Sequence, residues 1–168
     1  MNQRVVKVAM VGAGGTGKTT IASRLVTGKF VETMMTAGLG IETWSLLDQE
    51  CNGEIKATIF DLGGQEQFRF FQSSLLKGTQ VVLLVVDLTR FRTLIEIDEW
   101  IDLIPHVSPD MWVLVANKLD AVDKSLSEQD IAEKAHTLDI PYILLSAKTG
   151  ENFDRLIEIL TNLLQSSL

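Results

Sequence analysis

Short apolar runs rich in β-branched residues alternate along the chain with segments whose apolar positions recur every three or four residues. The apolar runs at 5–11, 81–87, 111–117 and 141–146 predict buried strands. The segment 41–60 carries an Asn52-Gly53 pair between two further strand-like stretches, which predicts a β-hairpin. The pattern therefore predicts six strands.

Helical spacing is found between these strands. Ile21, Leu25 and Val26 share one face of the first helical segment, and Gly28 predicts its end. Later segments with the same spacing span 93–104, 127–138 and 151–164. Strands that alternate with helices predict an α/β fold of three layers, with helices on both faces of a mostly parallel sheet. We expect six strands, one of them an antiparallel edge strand supplied by the hairpin, and five helices.

A glycine-rich loop, GAGGTGKT at residues 12–19, joins the first predicted strand to the first predicted helix. It fits the pattern G-x-x-x-x-G-K-[ST] of the phosphate-binding P-loop, in the strand–loop–helix context that this motif requires. Glycines let backbone N–H groups turn toward phosphate oxygens, and the start of the helix adds the positive end of its dipole. We expect Lys18 to meet the β- and γ-phosphates and the Thr19 hydroxyl to bind Mg²⁺.

Polar motifs also follow three later strands, at the rim where ligands bind in such sheets. In DLGGQE, Asp61 is expected to hold the metal through water, and Gly64 to donate its N–H to the γ-phosphate. In NKLD, Asp120 offers a carboxylate to the N1–H and 2-amino groups of guanine, a pair of donors that adenine lacks. SAK at residues 146–148 follows the last strand, where its backbone can meet the base carbonyl. Four motifs in this order indicate a guanine nucleotide.

Composition limits the partners and the cellular location that we expect for this protein. The chain has 168 residues, 46% of them apolar, and a net charge of −7, which argues against broad binding to nucleic acid. A single cysteine excludes an internal disulfide. We expect a cytoplasmic protein without a direct lipid anchor, because Asn2 excludes N-myristoylation and the carboxyl end LLQSSL lacks a cysteine for prenylation.

With these motifs, the chain resembles the Ras superfamily of small GTPases over essentially its whole length. LVTGKF and GQEQFR are similar to the Ras and Rab branches, whereas GKTT and DLGGQ are similar to the Arf family and to the α subunits of heterotrimeric G proteins. This mixture suggests a prokaryotic or early-branching member. The resemblance implies a P-loop NTPase fold and a single small GTPase domain over residues 1–168.

The resemblance also implies a molecular switch that binds GTP or GDP with Mg²⁺ and is read by effectors, exchange factors and GTPase-activating proteins. Gln65 and Lys18 are the expected catalytic residues, with Gln65 orienting the attacking water. The expected metal ligands are Thr19, Thr36 and Asp61. The expected nucleotide-binding residues are Gly14, Gly15, Thr16, Gly17, Lys18, Thr19, Thr20, Phe30, Thr36, Gly64, Asn117, Lys118, Asp120, Ser146, Ala147 and Lys148.

The first switch segment, switch I, matches the family least well. Phe30 lies twelve residues after Lys18, where the Ras family places an aromatic ring against the guanine. Thr36 is our choice for the residue that senses the γ-phosphate, because it carries a hydroxyl. An alternative alignment places Gly38 there, which would leave no side chain to bind the metal, and Thr33 is a third option.

Two other classes of function compete with a GTP-hydrolysing switch. One is a scaffold module that binds guanine nucleotide without hydrolysing it, which the weak match at switch I would favour. The other is a P-loop ATPase or kinase, against which Asn117 and Asp120 argue. Gln65, Lys18 and Asp61 favour hydrolysis, which we expect to be slow, on the order of 10⁻⁴ to 10⁻² s⁻¹ without a partner, because no built-in arginine finger is predicted.

Overall fold

Six strands lie in one sheet within the residues that the computed structural model describes, which are 2–31, 39–50, 52–63 and 69–167, without the side chains of 69 and 70. They are β1 (Asn2–Val11), β2 (Leu39–Asp48), β3 (Gly53–Leu62), β4 (Val81–Asp87), β5 (Trp112–Asn117) and β6 (Tyr142–Leu144). Their spatial order is β2-β3-β1-β4-β5-β6. All neighbouring pairs are parallel except β2 with β3, so the antiparallel strand lies at one edge, as the hairpin predicted.

The described residues form five α-helices, and this number confirms the prediction. They are α1 (Lys18–Thr27), α2 (Arg69–Leu75), α3 (Arg92–Ile101), α4 (Glu128–Leu138) and α5 (Phe153–Ser166). A short 3₁₀ turn, Pro109–Met111, precedes β5. No helix in these ranges combines the length and the apolar character that a membrane crossing would need.

Strand β4 shows why the sheet needs helices on both faces. All seven of its residues are buried. Val81, Leu83 and Val85 face a core shared with α1 and α5, whereas the alternate residues face a second core shared with α3 and α4. Successive side chains of a strand point to opposite faces, so a continuous apolar run is satisfied only between two helical layers. The three-layer α/β fold expected from the sequence is confirmed.

The hairpin joins β2 and β3 differently from a two-residue Asn-Gly turn. Gly53 already belongs to β3 and pairs with Asp48, while Asn52 adopts a left-handed backbone with φ of 48°. A Cβ atom at Gly53 would collide with the carbonyl oxygen of Asn2 on the neighbouring strand. The glycine is therefore required by close packing of β1 against β3, and the asparagine supplies the turn conformation.

Candidate functional site

Polar residues from four of the parallel strands and their following loops meet at the carboxyl-terminal rim of the sheet. Asp61, Asp87 and Asn117 lie in the last two residues of β3, β4 and β5, and Ser146 follows β6. All four side chains are buried, with exposed fractions between 0% and 4%. Burial of polar groups costs free energy unless they are hydrogen-bonded. Four buried polar side chains at one rim therefore indicate a preformed binding site rather than an ordinary solvent-exposed edge of the sheet.

The P-loop leaves β1 through glycines that no other residue could replace without strain. Gly12, Gly15 and Gly17 have φ of 147°, 75° and 98°, a region that L side chains rarely adopt. A Cβ at Gly12 would collide with the backbone oxygen of Val85, and one at Gly17 would collide with the side-chain amide of Asn117. The glycines therefore permit both the loop conformation and its close contact with β4 and β5.

Lys18 is the first residue of α1, and its side chain contacts the P-loop. Its side chain is buried, and its Nζ donates to the carbonyl oxygens of Gly12 at 3.0 Å and Ala13 at 2.8 Å. Burial lowers the pKa of Lys18 to about 8, while the Asp61 carboxylate raises this pKa and the Arg90 guanidinium lowers it. A desolvated ammonium group beside a glycine-rich loop is poised to bind an anion.

Thr19 and Asp61 form a pair of oxygen ligands next to this lysine. The Thr19 hydroxyl donates to a carboxylate oxygen of Asp61, which is only 2% exposed at the end of β3. A hydroxyl and a carboxylate are hard oxygen donors of the kind that Mg²⁺ prefers, and Mg²⁺ commonly takes few protein ligands and keeps several waters. The donor set therefore fits Mg²⁺.

Asn117 connects three of the motif loops. Its Nδ2 donates to the carbonyl oxygen of Thr16 at 3.0 Å, and its Oδ1 accepts from the backbone N–H of Ala147 at 3.0 Å. The P-loop, the NKLD segment and the SAK segment are thus joined through one buried amide. Because Asn117 uses its donor and its acceptor together, a carboxylate or an alkyl side chain of similar size could not make both bonds.

Asp120 is exposed at the rim, and the neighbouring loop fixes its orientation. The Ser146 hydroxyl donates to Asp120 Oδ1 at 2.7 Å and accepts from the backbone N–H of Thr149 at 3.0 Å. Arg24 of α1 holds the same loop, donating to the carbonyl oxygens of Ala147 at 3.1 Å and Lys148 at 3.4 Å. The carboxylate is therefore positioned before any ligand arrives.

Asp87 and Arg90 belong to the site, although we did not predict them from the sequence. Asp87 is fully buried, and its Oδ2 pairs with Lys118 Nζ at 2.7 Å and Arg90 Nε at 3.0 Å. Burial acts to raise the pKa of Asp87, but hydrogen bonds from Lys118, Thr89 and Arg90 hold that pKa below its ordinary value. The available signal was positional, because Asp87 lies within the last two residues of a strand, as Asp61 and Asn117 do.

Lys118 contributes through an uncommon backbone conformation. It has φ of 71°, and its Nζ donates to the carbonyl oxygen of Gly15 at 2.9 Å in addition to pairing with Asp87. Non-glycine residues in the left-handed region are uncommon and often mark functional positions. Here the conformation accompanies a side chain that reaches back to the P-loop.

Several predicted site residues lie outside the described residues: Gln65, Gly64, Thr36 and the alternatives Gly38 and Thr33. Phe30 is described, and its side chain is 45% exposed just after the end of α1. Thr20 lies in the first turn of α1 and Lys148 is exposed in the SAK segment. The structure therefore brings the P-loop, Asp61 and the NKLD and SAK segments together at one rim, while the roles of these residues toward phosphate, metal and base stay predictions, as do those of Thr36, Gly64 and Gln65.

Comparison with known proteins adds a second line of evidence. The family model described as the Ras family matches residues 7–166. The chain is 30% identical over 165 residues to the Ras-related protein SEC4 of Candida albicans, covering 96% of this chain and 78% of that protein. It is 31% identical over 162 residues to the Ras-related protein Rab-7b of Mus musculus, covering 94% and 81% of the two chains. The Ras-related protein SEC4 of Saccharomyces cerevisiae is 29% identical over 167 residues, covering 98% and 77%.

Proposed function

The chain belongs to the Ras family of small GTPases, and from this premise we propose how its residues bind GTP and GDP with Mg²⁺ and hydrolyse GTP as a molecular switch. The observation that carries the residue assignments is the bond that Asn117 donates to Thr16 and the bond that it accepts from Ala147, which together join the P-loop to the loops expected to read the base. One ligand long enough to span phosphates and a purine would contact all three loops. Family membership favours hydrolysis over a scaffold that only binds nucleotide.

The phosphates would be bound by the P-loop and Lys18. When a nucleotide enters, Lys18 Nζ would exchange its present carbonyl partners for β- and γ-phosphate oxygens, which bear full negative charge. The N-terminus of α1 adds favourable partial positive charge at the same place. Bound Mg²⁺, held by Thr19 and Asp61 and on our assignment by Thr36, would offset charge on the phosphate oxygens.

The base would be read by Asp120 and the SAK segment. The Asp120 carboxylate can accept two hydrogen bonds from guanine, and Ser146 keeps one of its oxygens in place. Adenine stacked over this position would cover the carboxylate without offering those donors, which disfavours adenine relative to guanine. This selectivity is the basis for proposing guanine nucleotides over adenine nucleotides.

Calorimetry with Mg²⁺ tests the whole proposal. We expect the purified protein to bind GDP and GTP at least about 10³-fold more tightly than ADP and ATP, because a site built to hydrogen-bond a ligand group rejects analogues that lack it. Equal affinity for ATP and GTP would overturn the guanine assignment. Absence of measurable GDP binding would overturn the nucleotide site altogether.

Gln65 is the residue that we propose to position the attacking water during GTP hydrolysis. Its amide would orient the water that attacks the γ-phosphorus in line, while Lys18 stabilises charge that develops on the phosphoryl oxygens. We expect Gln65→Leu to slow single-turnover GTP hydrolysis by about tenfold or more, since leucine cannot hydrogen-bond water. GDP affinity should be unchanged, and a variant that hydrolyses GTP at the wild-type rate would remove Gln65 from the mechanism.

The pKa of Lys18 predicts how nucleotide affinity changes with pH. Burial sets that pKa to about 8, whereas bound phosphate would raise it. The nucleotide complex then holds more protons than the free protein above pH about 8, so affinity should be flat below that pH and fall above it. GDP titrations between about pH 7 and pH 9 check this, with Lys18→Arg as the control because arginine stays charged throughout. A wild-type affinity that falls no faster than that of Lys18→Arg would contradict it.

Partner proteins follow from the family, since a nucleotide switch acts through effectors and regulators. We propose that residues 1–168 form one GTPase domain that works in the cytoplasm. The net charge of −7 supports protein partners over nucleic acid. Phe71, 59% exposed in α2 next to the DLGGQE segment, is the described residue that we propose as part of an effector surface.

A further inference from the structure

Three consecutive carbonyl groups of the P-loop each accept a hydrogen bond from a different side chain. The Gly14 oxygen accepts from Arg90 Nη2 at 2.7 Å. The Gly15 oxygen accepts from Lys118 Nζ at 2.9 Å, and the Thr16 oxygen accepts from Asn117 Nδ2 at 3.0 Å. Two segments of the chain, the loop after β4 and the NKLD segment, thus hold three consecutive peptides of the same loop.

These bonds also fix the direction of the loop's N–H groups. A trans peptide is planar, and its carbonyl and N–H point in opposite directions. Holding the carbonyls of residues 14, 15 and 16 therefore orients the N–H groups of residues 15, 16 and 17 toward the opposite side of the loop. Preorganised N–H donors bind an anion more tightly than donors that must first be ordered.

Arg90 is attached to the rest of the site through Asp87. Its Nε donates to Asp87 Oδ2 at 3.0 Å, and Lys118 Nζ lies 2.7 Å from the same oxygen. The other carboxylate oxygen accepts from the backbone N–H of Thr89 at 2.8 Å and from its hydroxyl at 2.6 Å. Since Asp87 is fully buried, it provides a rigid anchor for two of the three side chains that hold the loop.

We propose that Arg90 is a positioning residue for phosphate binding, which holds the Gly14–Gly15 peptide from its anchor on Asp87. The proposal rests on the guanine-nucleotide function given above and assigns Arg90 a role in it. The Arg90 guanidinium bonds the carboxylate through Nε and the carbonyl through Nη2, whereas a lysine at position 90 would have to reach both acceptors with one nitrogen. The influence of Arg90 on the pKa of Lys18 is consistent with its place beside the phosphate site.

Dissociation of GDP measures this role without relying on hydrolysis. We expect Arg90→Met to release a fluorescent GDP analogue about tenfold faster than wild type, because one charge-assisted hydrogen bond that orders the loop is lost. Arg90→Lys should lie between the two. Arg92→Met is the matched control, since Arg92 is exposed at the start of α3 only two residues away, and it should behave as wild type.

Comparison of GDP with GMP separates positioning from a general structural effect. GMP lacks the β-phosphate, so its affinity should be the same for wild type and Arg90→Met while GDP affinity falls. Equal losses for GDP and GMP, or a GDP release rate within about twofold of wild type, would overturn the role of Arg90. Wild-type protein that fails to bind GDP would instead overturn the proposed function, and with it this inference.

Discussion

Asp120→Asn should shift the base preference of the protein from guanine to xanthine. Xanthine carries a carbonyl at C2, where guanine has an amino group, and an asparagine side chain can donate one hydrogen bond and accept another. We expect GDP affinity to fall by about 10³-fold or more, because the carboxylate that accepts both guanine donors is gone. Xanthosine diphosphate should become the tighter ligand.

The structure indicates that this substitution leaves the surrounding loop intact. Ser146 donates its hydroxyl to Asp120 Oδ1, and the carbonyl oxygen of asparagine can accept the same bond. The bonds of Asn117 go to Thr16 and Ala147 rather than to Asp120, so they should persist. The loss should therefore be specific to the base.

Competition titrations with GDP and xanthosine diphosphate test this prediction. Asp123→Asn provides the control, because Asp123 is an exposed carboxylate in the same loop and makes the same change in charge. Unchanged GDP affinity in Asp120→Asn would show that another group recognises the base. Equal effects of the two substitutions would assign the result to net charge.

Lys18→Met should separate nucleotide binding from folding. Removal of one partner from a buried, charged hydrogen-bonded pair costs about 3–5 kcal/mol, so GDP and GTP affinity should fall by roughly 10²–10³-fold or more. The unfolding free energy of the nucleotide-free protein should not fall. Burial has already lowered the pKa of Lys18 to about 8 from 10.5, which means that its charge opposes folding.

The pH dependence of the unfolding free energy gives a second test. A lysine whose folded pKa lies below its unfolded value destabilises the fold fully below the folded pKa, and this penalty disappears as pH rises from about 8 to 10.5. Denaturant titrations of nucleotide-free wild type and Lys18→Met should therefore converge as pH rises through that window. Lys77→Met, at an exposed position before β4, is the control. A large loss of stability in Lys18→Met at neutral pH would contradict the prediction.

The architecture was predictable because its signals are local. Apolar runs of strand length, helical spacing between them and four motifs at strand ends gave the fold and the rim where the site lies. Boundaries were less accurate. Strand β1 begins at Asn2 rather than Val5, because its pairing with β3 continues through polar residues to Gly53. Strand β6 is only Tyr142–Leu144, although the apolar run is longer.

The contribution of Arg90 and Asp87 could not be read from sequence in the same way. The contact of Arg90 is with a backbone carbonyl 76 residues away, and any residue at Gly14 would supply that oxygen. A contact with a backbone carbonyl does not depend on which residue supplies that carbonyl, so it leaves no motif in the sequence. Asp87 ended a predicted strand, but nothing local indicated that its carboxylate would bind two cations rather than a ligand.

Lys118 has a consequence for engineering the stability of this protein. Its left-handed backbone, with φ of 71°, would be relaxed by glycine, which adopts that conformation readily. Glycine would also remove one of the two cations that pair with buried Asp87 and the donor to the Gly15 carbonyl, and this loss outweighs the relief of the backbone, so a screen for heat resistance should retain Lys118. Screens for more heat-resistant variants should include GDP, so that selection also acts on the nucleotide-bound protein.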